Sequence, residues 1–180
     1  MEATEAVFIG LGSNLGDSVQ VLKKGWRLLG EQNGVTAKEL SPPFLSSPVG
    51  MTSNFWFTNA VGYLQVSLTP LEFLELLLEI EQDLGRVRDQ KKHGYQDRVI
   101  DLDLLYFGSV MMDTPRLTIP HPHRNERLFV LSPMAAIAPD YVDPETGQPV
   151  SDMHSDLLDK MDTGRVDQQE ITRSTWPEGP

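Results

Sequence analysis

Residues 99–107 read Val-Ile-Asp-Leu-Asp-Leu-Leu-Tyr-Phe, an apolar run broken only by Asp101 and Asp103. The composition is that of a strand. In a strand, alternate side chains share a face and lie about 6.5–7 Å apart along the chain. Two carboxylates so placed repel each other and resist burial, so something cationic is expected between them. The flanking sequence offers Arg86, Arg88, Lys91, Lys92, Arg98, Arg116, Arg124 and Arg127, with His121 and His123. An acidic pair set among arginines and histidines is the composition of a metal–phosphate site.

Charge distribution points the same way. The chain of 180 residues carries a net charge of −11, which argues against a nonspecific nucleic-acid or membrane-surface binder. Between residues 86 and 127, however, 8 basic residues face 6 acidic ones. Basic charge concentrated in one segment of an acidic chain suits a small anion bound there. With no cysteine, neither a disulfide framework nor a cysteine-based zinc site is possible. No apolar run approaches the roughly 20 residues of a membrane span. The N-terminus lacks the basic and apolar regions of a secretion signal, so a cytoplasmic location is expected.

Local signals lay out the chain. Ala6–Leu11 reads as a buried strand. Gly12-Ser13-Asn14-Leu15-Gly16 reads as a strand-to-helix turn with glycines at positive φ. It is neither a Walker A loop nor a dinucleotide fingerprint. Asp17 caps a helix whose buried face is Leu22, Trp26 and Leu29, ending at Gly30. Val35–Leu40 is a second strand, Phe44–Met51 a loop, and Asn54–Leu64 an aromatic strand that puts Phe57 and Asn59 on one face. Thr69-Pro70-Leu71-Glu72 opens a helix with an N-cap, proline at N1 and Glu at N3, closed by Gly85. The basic, turn-rich stretch 86–98 reads as a loop that closes on a nucleotide. A turn at Gly108-Ser109 begins a returning strand. Residues 124–131 form a short helix, and 156–161 another. We expect residues 1–140 to form one domain and the acidic residues 141–180 a partly ordered extension. The order β-α-β-β-α-β predicts an α+β fold, a ferredoxin-like sandwich with helices packed on an antiparallel sheet.

Several segments together resemble the 6-hydroxymethyl-7,8-dihydropterin pyrophosphokinase family. They are Gly12–Gly16, Pro48-Val49-Gly50, Phe57-Thr58-Asn59-Ala60, Gly85-Arg86-Val87-Arg88, Arg98–Leu105 and Arg116–His121, with Arg127 and Phe129. They run collinearly from about residue 6 to residue 140. The resemblance implies transfer of pyrophosphate from ATP to the pterin hydroxymethyl group, leaving AMP, with two Mg²⁺ ions. Asp101 and Asp103 would hold the metals. Arg86, Arg98, His121 and Arg127 would contact the ATP phosphates, with Thr118 near the nucleotide and Glu81 beside the phosphate site. Asn59 would hydrogen-bond the pterin, Phe57 and Phe129 would stack on it, and the backbone around Ser46, Val49 and Gly50 would touch its edge. The sequence departs from the family where Gly94-Tyr95-Gln96-Asp97 replaces the usual Trp-Gly-Pro, where Phe57 replaces a frequent tyrosine, and where Pro122 follows His121.

On this reading the partners are ATP and the pterin, with no nucleic acid and no membrane, and the chain is expected to act as a monomer. His93, His123 and His154 are read as surface residues. Two other functional classes use the same features. A magnesium-dependent nucleotidyl transferase or phosphohydrolase would differ in product, and a non-catalytic ligand-binding module would bind nucleotide without turnover.

Overall fold

The computed structural model describes residues 3–51, 53–86 and 97–177. Residues 87–96, which carry the expectation of loop closure, lie outside the described residues. The first strand, β1 (Glu5–Ser13), runs two residues further than its apolar core suggests. Gly12 therefore belongs to the strand, and in the Gly12–Gly16 stretch only Gly16, at φ 67°, has the positive φ expected of a turn glycine. Helix α1 (Ser18–Gly30) starts on Asp17, whose carboxylate accepts from the Gln20 N–H at 3.1 Å. Leu22 and Leu29 are fully buried beneath it. Strand β2 (Val35–Leu40) follows. Phe44–Ser46, expected within a loop, is a short strand, β3. Its formation depends on pairing with distant chain, which no local signal reports.

Strand β4 (Phe57–Val66) is the centre of the sheet. It pairs antiparallel with β1 on one side and with both β2 and β3 on the other. Helix α2 (Pro70–Asp83) opens on a complete capping box: Thr69 Oγ1 accepts from the Glu72 N–H, and the Glu72 carboxylate accepts from the Thr69 N–H. Strand β5 (Asp101–Phe107) pairs antiparallel with β1. The expected return after Gly108 is instead a separate hairpin, β6 (Met112–Asp113) with β7 (Thr118–Ile119). Helix α3 (Leu128–Ile137) begins later than expected.

The acidic C-terminal segment is folded against this frame. Helix α4 (Val150–Asp162) buries Met153, Leu157 and Met161 against Leu128 and Leu131 of α3. Strand β8 (Ile171–Arg173) adds to the sheet beside β3. Trp176 packs against the main core, and its indole N–H donates to the Ser41 carbonyl at 2.9 Å. The result is an α+β fold in which β5-β1-β4-β3-β8 lie side by side, all antiparallel.

Each face of the sheet carries its own core. Val7, Ile9, Leu11, Leu64, Leu102 and Leu104 meet α1 and α2 on one face. Phe8, Val61, Leu105 and Tyr106 meet α3 on the other. A bulge between Phe8 and Ile9 shifts the β1–β5 register. Consequently Leu105 and Tyr106, adjacent in sequence, both serve the α3 face.

Candidate active site

The α3 face of β1 would continue from Phe8 to positions 10 and 12, and both are glycine. Their missing side chains leave room. A Cβ on Gly12 would stand 3.2 Å from Asn59 Oδ1. The space above them is a cavity of about 630 Å³, including its open mouth. Its floor is laid by Gly10, Leu11 and Gly12 of β1, by Asn59 and Ala60 of β4, and by Asp101, Asp103 and Leu105 of β5. Ser46, Ser47, Val49, Met51 and Phe57 form a second wall. Arg127, Phe129 and Val130, at the start of α3, form a third, and Arg98 completes the lining.

Strand alternation puts Asp101 and Asp103 on this cavity while Leu102 and Leu104 point into the helix-side core. Arg98 Nη1 donates to Asp101 Oδ2 at 2.6 Å, and Arg86 Nη1 donates to Asp101 Oδ1. Arg86 Nη1 also reaches Glu81 at 2.5 Å. Glu81 is buried to 2% exposure and accepts the Leu102 N–H at 2.7 Å, so it ties α2 to β5 and backs the arginine. Burial opposes the charge on Arg86, but Asp101 and Glu81 outweigh it and raise its pKa. Asp103 is placed differently. Its carboxyl makes no hydrogen bond among the described residues, and burial, reinforced by the Asp101 charge, pushes it up to about 7 against the opposing pull of Arg127 and Arg98.

Two arginines also sit on two rings. The Arg98 guanidinium lies 5.9 Å from the Phe57 ring centroid, and that of Arg127 lies 5.6 Å from the Phe129 centroid. The cavity thus has an arginine–carboxylate part and an aromatic part that share the same side chains. Asn59, 5% exposed, donates through Nδ2 to Ser46 Oγ at 2.8 Å, which fixes its amide orientation at the cavity floor.

Of the residues picked out in the sequence, Ser46, Val49, Phe57, Asn59, Arg98, Asp101, Asp103, Arg127 and Phe129 all line this one cavity. Arg86 and Glu81 stand behind Asp101. Gly50 lines an adjoining groove that shares Val49 with the cavity. Thr118 and His121 are not in the lining. Thr118 bonds Asp113 within the small hairpin at 3.1 Å. His121 is anchored by its own N–H to the Leu105 carbonyl at 2.9 Å, and its Nδ1 accepts from the His123 N–H at 3.2 Å. Burial, with help from the Arg127 charge, pushes His121 down to about 4. It is neutral at pH 7, and with Nδ1 accepting, the proton sits on Nε2, where it can be donated.

Two flanking arginines and the more distant His154 serve elsewhere. Arg116 pairs with Glu75 on the exposed surface at 2.8 Å. His154 is half-buried rather than superficial, 2.9 Å from Ser132 Oγ. Arg124, counted among the cations around the acidic pair, is instead buried against Asp143. Its Nε and Nη2 donate to the two Asp143 oxygens at 2.6 and 2.9 Å.

Asn14, part of a turn by its sequence, holds the site together. Its N–H donates to the Arg98 carbonyl at 3.2 Å, and its Oδ1 accepts the Arg98 N–H at 2.8 Å. Its Nδ2 donates to Asp97 Oδ1 at 2.6 Å, an oxygen that also accepts from Ser53 Oγ at 2.6 Å. One buried asparagine therefore sets the backbone that presents Arg98. Of the residues missed, Gly10 had a readable signal, since two glycines two apart on a buried strand mark a face that something approaches closely.

Known proteins resemble this chain in sequence and in fold. The family model of 7,8-dihydro-6-hydroxymethylpterin-pyrophosphokinase matches residues 8–139. A 2-amino-4-hydroxy-6-hydroxymethyldihydropteridine pyrophosphokinase of Synechocystis sp. is 36% identical over 172 residues, covering 96% of this chain and 80% of that protein. That likeness reaches into the C-terminal segment beyond the family match. The Bacillus subtilis protein of the same name is 39% identical over 130 residues, 72% of this chain and 76% of that protein. In fold, the wild-type Plasmodium falciparum HPPK-DHPS crystal structure superposes with a TM-score of 0.69 at 12% identity, over 90% of this chain. This chain spans 42% of that longer one. By sequence over most of its length, the chain belongs to the 7,8-dihydro-6-hydroxymethylpterin-pyrophosphokinase family.

Proposed function

We propose that this chain transfers a pyrophosphoryl group from ATP to the hydroxymethyl oxygen of 6-hydroxymethyl-7,8-dihydropterin, and that the cavity above Gly10 and Gly12 is where it does so. The family supplies the reaction. The observation that supports this location is that one cavity is lined both by Asp101, Asp103, Arg98 and Arg127 and by Asn59, Phe57 and Phe129. The first set suits a triphosphate and the second a flat, polar ring. The strand order also supports the finer reading of the sheet as a ferredoxin-like sandwich, with β2 and β3 together acting as one strand beside β4. The cytoplasm, as a monomer, is the setting that fits an acidic chain acting on two small molecules.

Asp101 and Asp103 fit magnesium. They are hard oxygen donors on one face of one strand, and among the described residues no third histidine or carboxylate joins them into a closed cage. Mg²⁺ prefers such open sites because it keeps water and phosphate oxygens as ligands, and two ions are the number we assign here. Bound there, Mg²⁺ would neutralise triphosphate charge and polarise the transferring group. Arg86 and Arg98 now neutralise Asp101, and they are the residues we assign to phosphate oxygens, together with Arg127 and the neutral His121 as donors. We also assign Thr118 to a position near the nucleotide. Asn59 and Ser46 hold the pterin edge with the Val49–Gly50 backbone, while Phe57 and Phe129 hold its faces.

In the reaction the hydroxymethyl oxygen bonds to the β-phosphorus, the bond from that phosphorus to the α,β-bridging oxygen breaks, and AMP leaves with that oxygen. The protein's part is alignment and charge stabilisation rather than covalent chemistry. The hydroxyl proton passes to phosphate or solvent, and no protein base is assigned. The test is incubation with ATP, Mg²⁺ and the pterin. AMP with a pyrophosphorylated pterin is the expected outcome. Free phosphate, or an adenylylated pterin with pyrophosphate, would identify a different transfer.

A further inference from the structure

Gln169 and Glu170 are consecutive residues that touch two walls of the active-site cavity. The Glu170 carbonyl accepts the Ser47 N–H at 3.0 Å, and the Glu170 N–H donates to Ser47 Oγ at 3.2 Å. The chain then pairs with β3, setting Ile171 opposite Ser46. The Gln169 side chain reaches α3. Its Oε1 accepts the Leu128 N–H at 2.8 Å, and its Nε2 donates to the Glu126 carbonyl at 2.8 Å.

Those two bonds bracket Arg127. The residue is extended, at φ −116° and ψ 110°, and it is the N-cap of α3 with no capping bond from its own side chain. In extended backbone, the carbonyl before a residue and the N–H after it point to the same side. The Gln169 amide closes on both, as the N–H and C=O of one residue in a neighbouring strand would. It also satisfies Leu128 N–H, one of the donors a helix start leaves open. The Arg127 side chain does not cap the helix and lines the cavity, where it lies over Phe129.

We propose that Gln169 is a positioning residue for the reaction. It clamps Arg127 in its extended conformation and so sets the Arg127 guanidinium and the Phe129 ring relative to the Ser46–Ser47 wall. The inference rests on the pyrophosphokinase reading of the cavity. It gives the C-terminal segment a role in substrate binding that its acidic composition does not suggest.

The test uses the full chain with Gln169→Met, which keeps the length and loses both hydrogen bonds, and Gln169→Glu, which keeps an acceptor for Leu128 and loses the donor. In Gln169→Met the Michaelis constants for pterin and ATP should each rise about tenfold, with a smaller change in kcat. In the substrate-free protein, hydrogen exchange at the Leu128 amide should speed up about tenfold. Gln169→Glu should recover part of that protection. A residue needed only for stability would lower Tm and leave the Michaelis constants of the folded enzyme alone. Turnover with Michaelis constants within about twofold of wild type, or unchanged Leu128 exchange, in Gln169→Met would overturn the clamp. Wild-type protein that forms no AMP would overturn the reaction itself, a separate outcome.

Discussion

Two arginine–carboxylate clusters in this molecule are made of the same residue types and differ in how fully they are bonded. Asp143 is completely buried and accepts from Arg124 twice, from Tyr106 Oη at 2.8 Å, and from the Glu145 and Thr146 N–H groups at 2.9 Å. Arg124, 2% exposed, also donates through Nη2 to Glu145 and through Nη1 to the His121 carbonyl. Burial raises the Asp143 pKa, but the bonds from Arg124, Thr146 and Tyr106 outweigh it and hold it at about 2. At the cavity, Asp101 has two arginine partners, and the Asp103 carboxyl has no hydrogen bond among the described residues and is pushed up to about 7. The carboxylate of the first cluster is saturated and has nothing left to offer a ligand. The second faces open space with unmet demand. A carboxylate held for structure is surrounded by donors, whereas one reserved for chemistry is left short of them.

The largest expected effect breaks the open cluster. Asp101→Ala or Asp103→Ala should lower kcat/KM by about a thousandfold or more in the AMP assay, with the far-ultraviolet circular dichroism unchanged. Normal activity in either variant would remove that aspartate from the site. Next comes the closed cluster. Asp143→Ala leaves the Arg124 charge buried without its main partner and should cost about 3–5 kcal/mol in urea unfolding. A cost under about 1 kcal/mol would mean that the two clusters do not differ as described.

A smaller change should have the opposite sign at the cavity. Asp103→Asn removes a poorly supported charge and should stabilise the ligand-free protein by about 1 kcal/mol while abolishing turnover. Destabilisation there would show that the carboxylate is well accommodated without substrate. The least effect at ordinary pH, visible only in acid, concerns titration of Asp143. Its folded pKa of about 2 lies below the unfolded value. The unfolded chain therefore binds the proton first. The stability Asp143 contributes is complete above about pH 4 and is lost as pH falls through about 2. Tm should fall more steeply over that range in wild type than in Asp143→Asn, and parallel curves would refute the linkage.

Legibility in the sequence followed the reach of the interactions involved. Asp17 with Gln20, and Thr69 with Glu72, act across three residues, so the starts of α1 and α2 could be read directly. Alternation along β5 put both aspartates on one face, and alternation along β4 did the same for Phe57 and Asn59. The failures were long-range. Arg124 meets Asp143 across 19 residues, so its membership of the acidic-pair cluster could not be judged from proximity in sequence. β3 exists because β4 and β8 lie beside it. Arg127 needs Gln169 from 41 residues past Leu128.

By itself, then, the sequence determined which residues could do chemistry. An apolar strand can carry two aspartates only if something pairs with their charge, and capping and periodicity confine that strand to a small set of surroundings. Tertiary structure decided which arginine serves which carboxylate. It also decided that two glycines open the cavity floor, and that the acidic C-terminal segment reaches back to hold two of the cavity walls. Those choices depend on which distant backbones come within hydrogen-bond reach, and that is settled only when the sheet and helices pack.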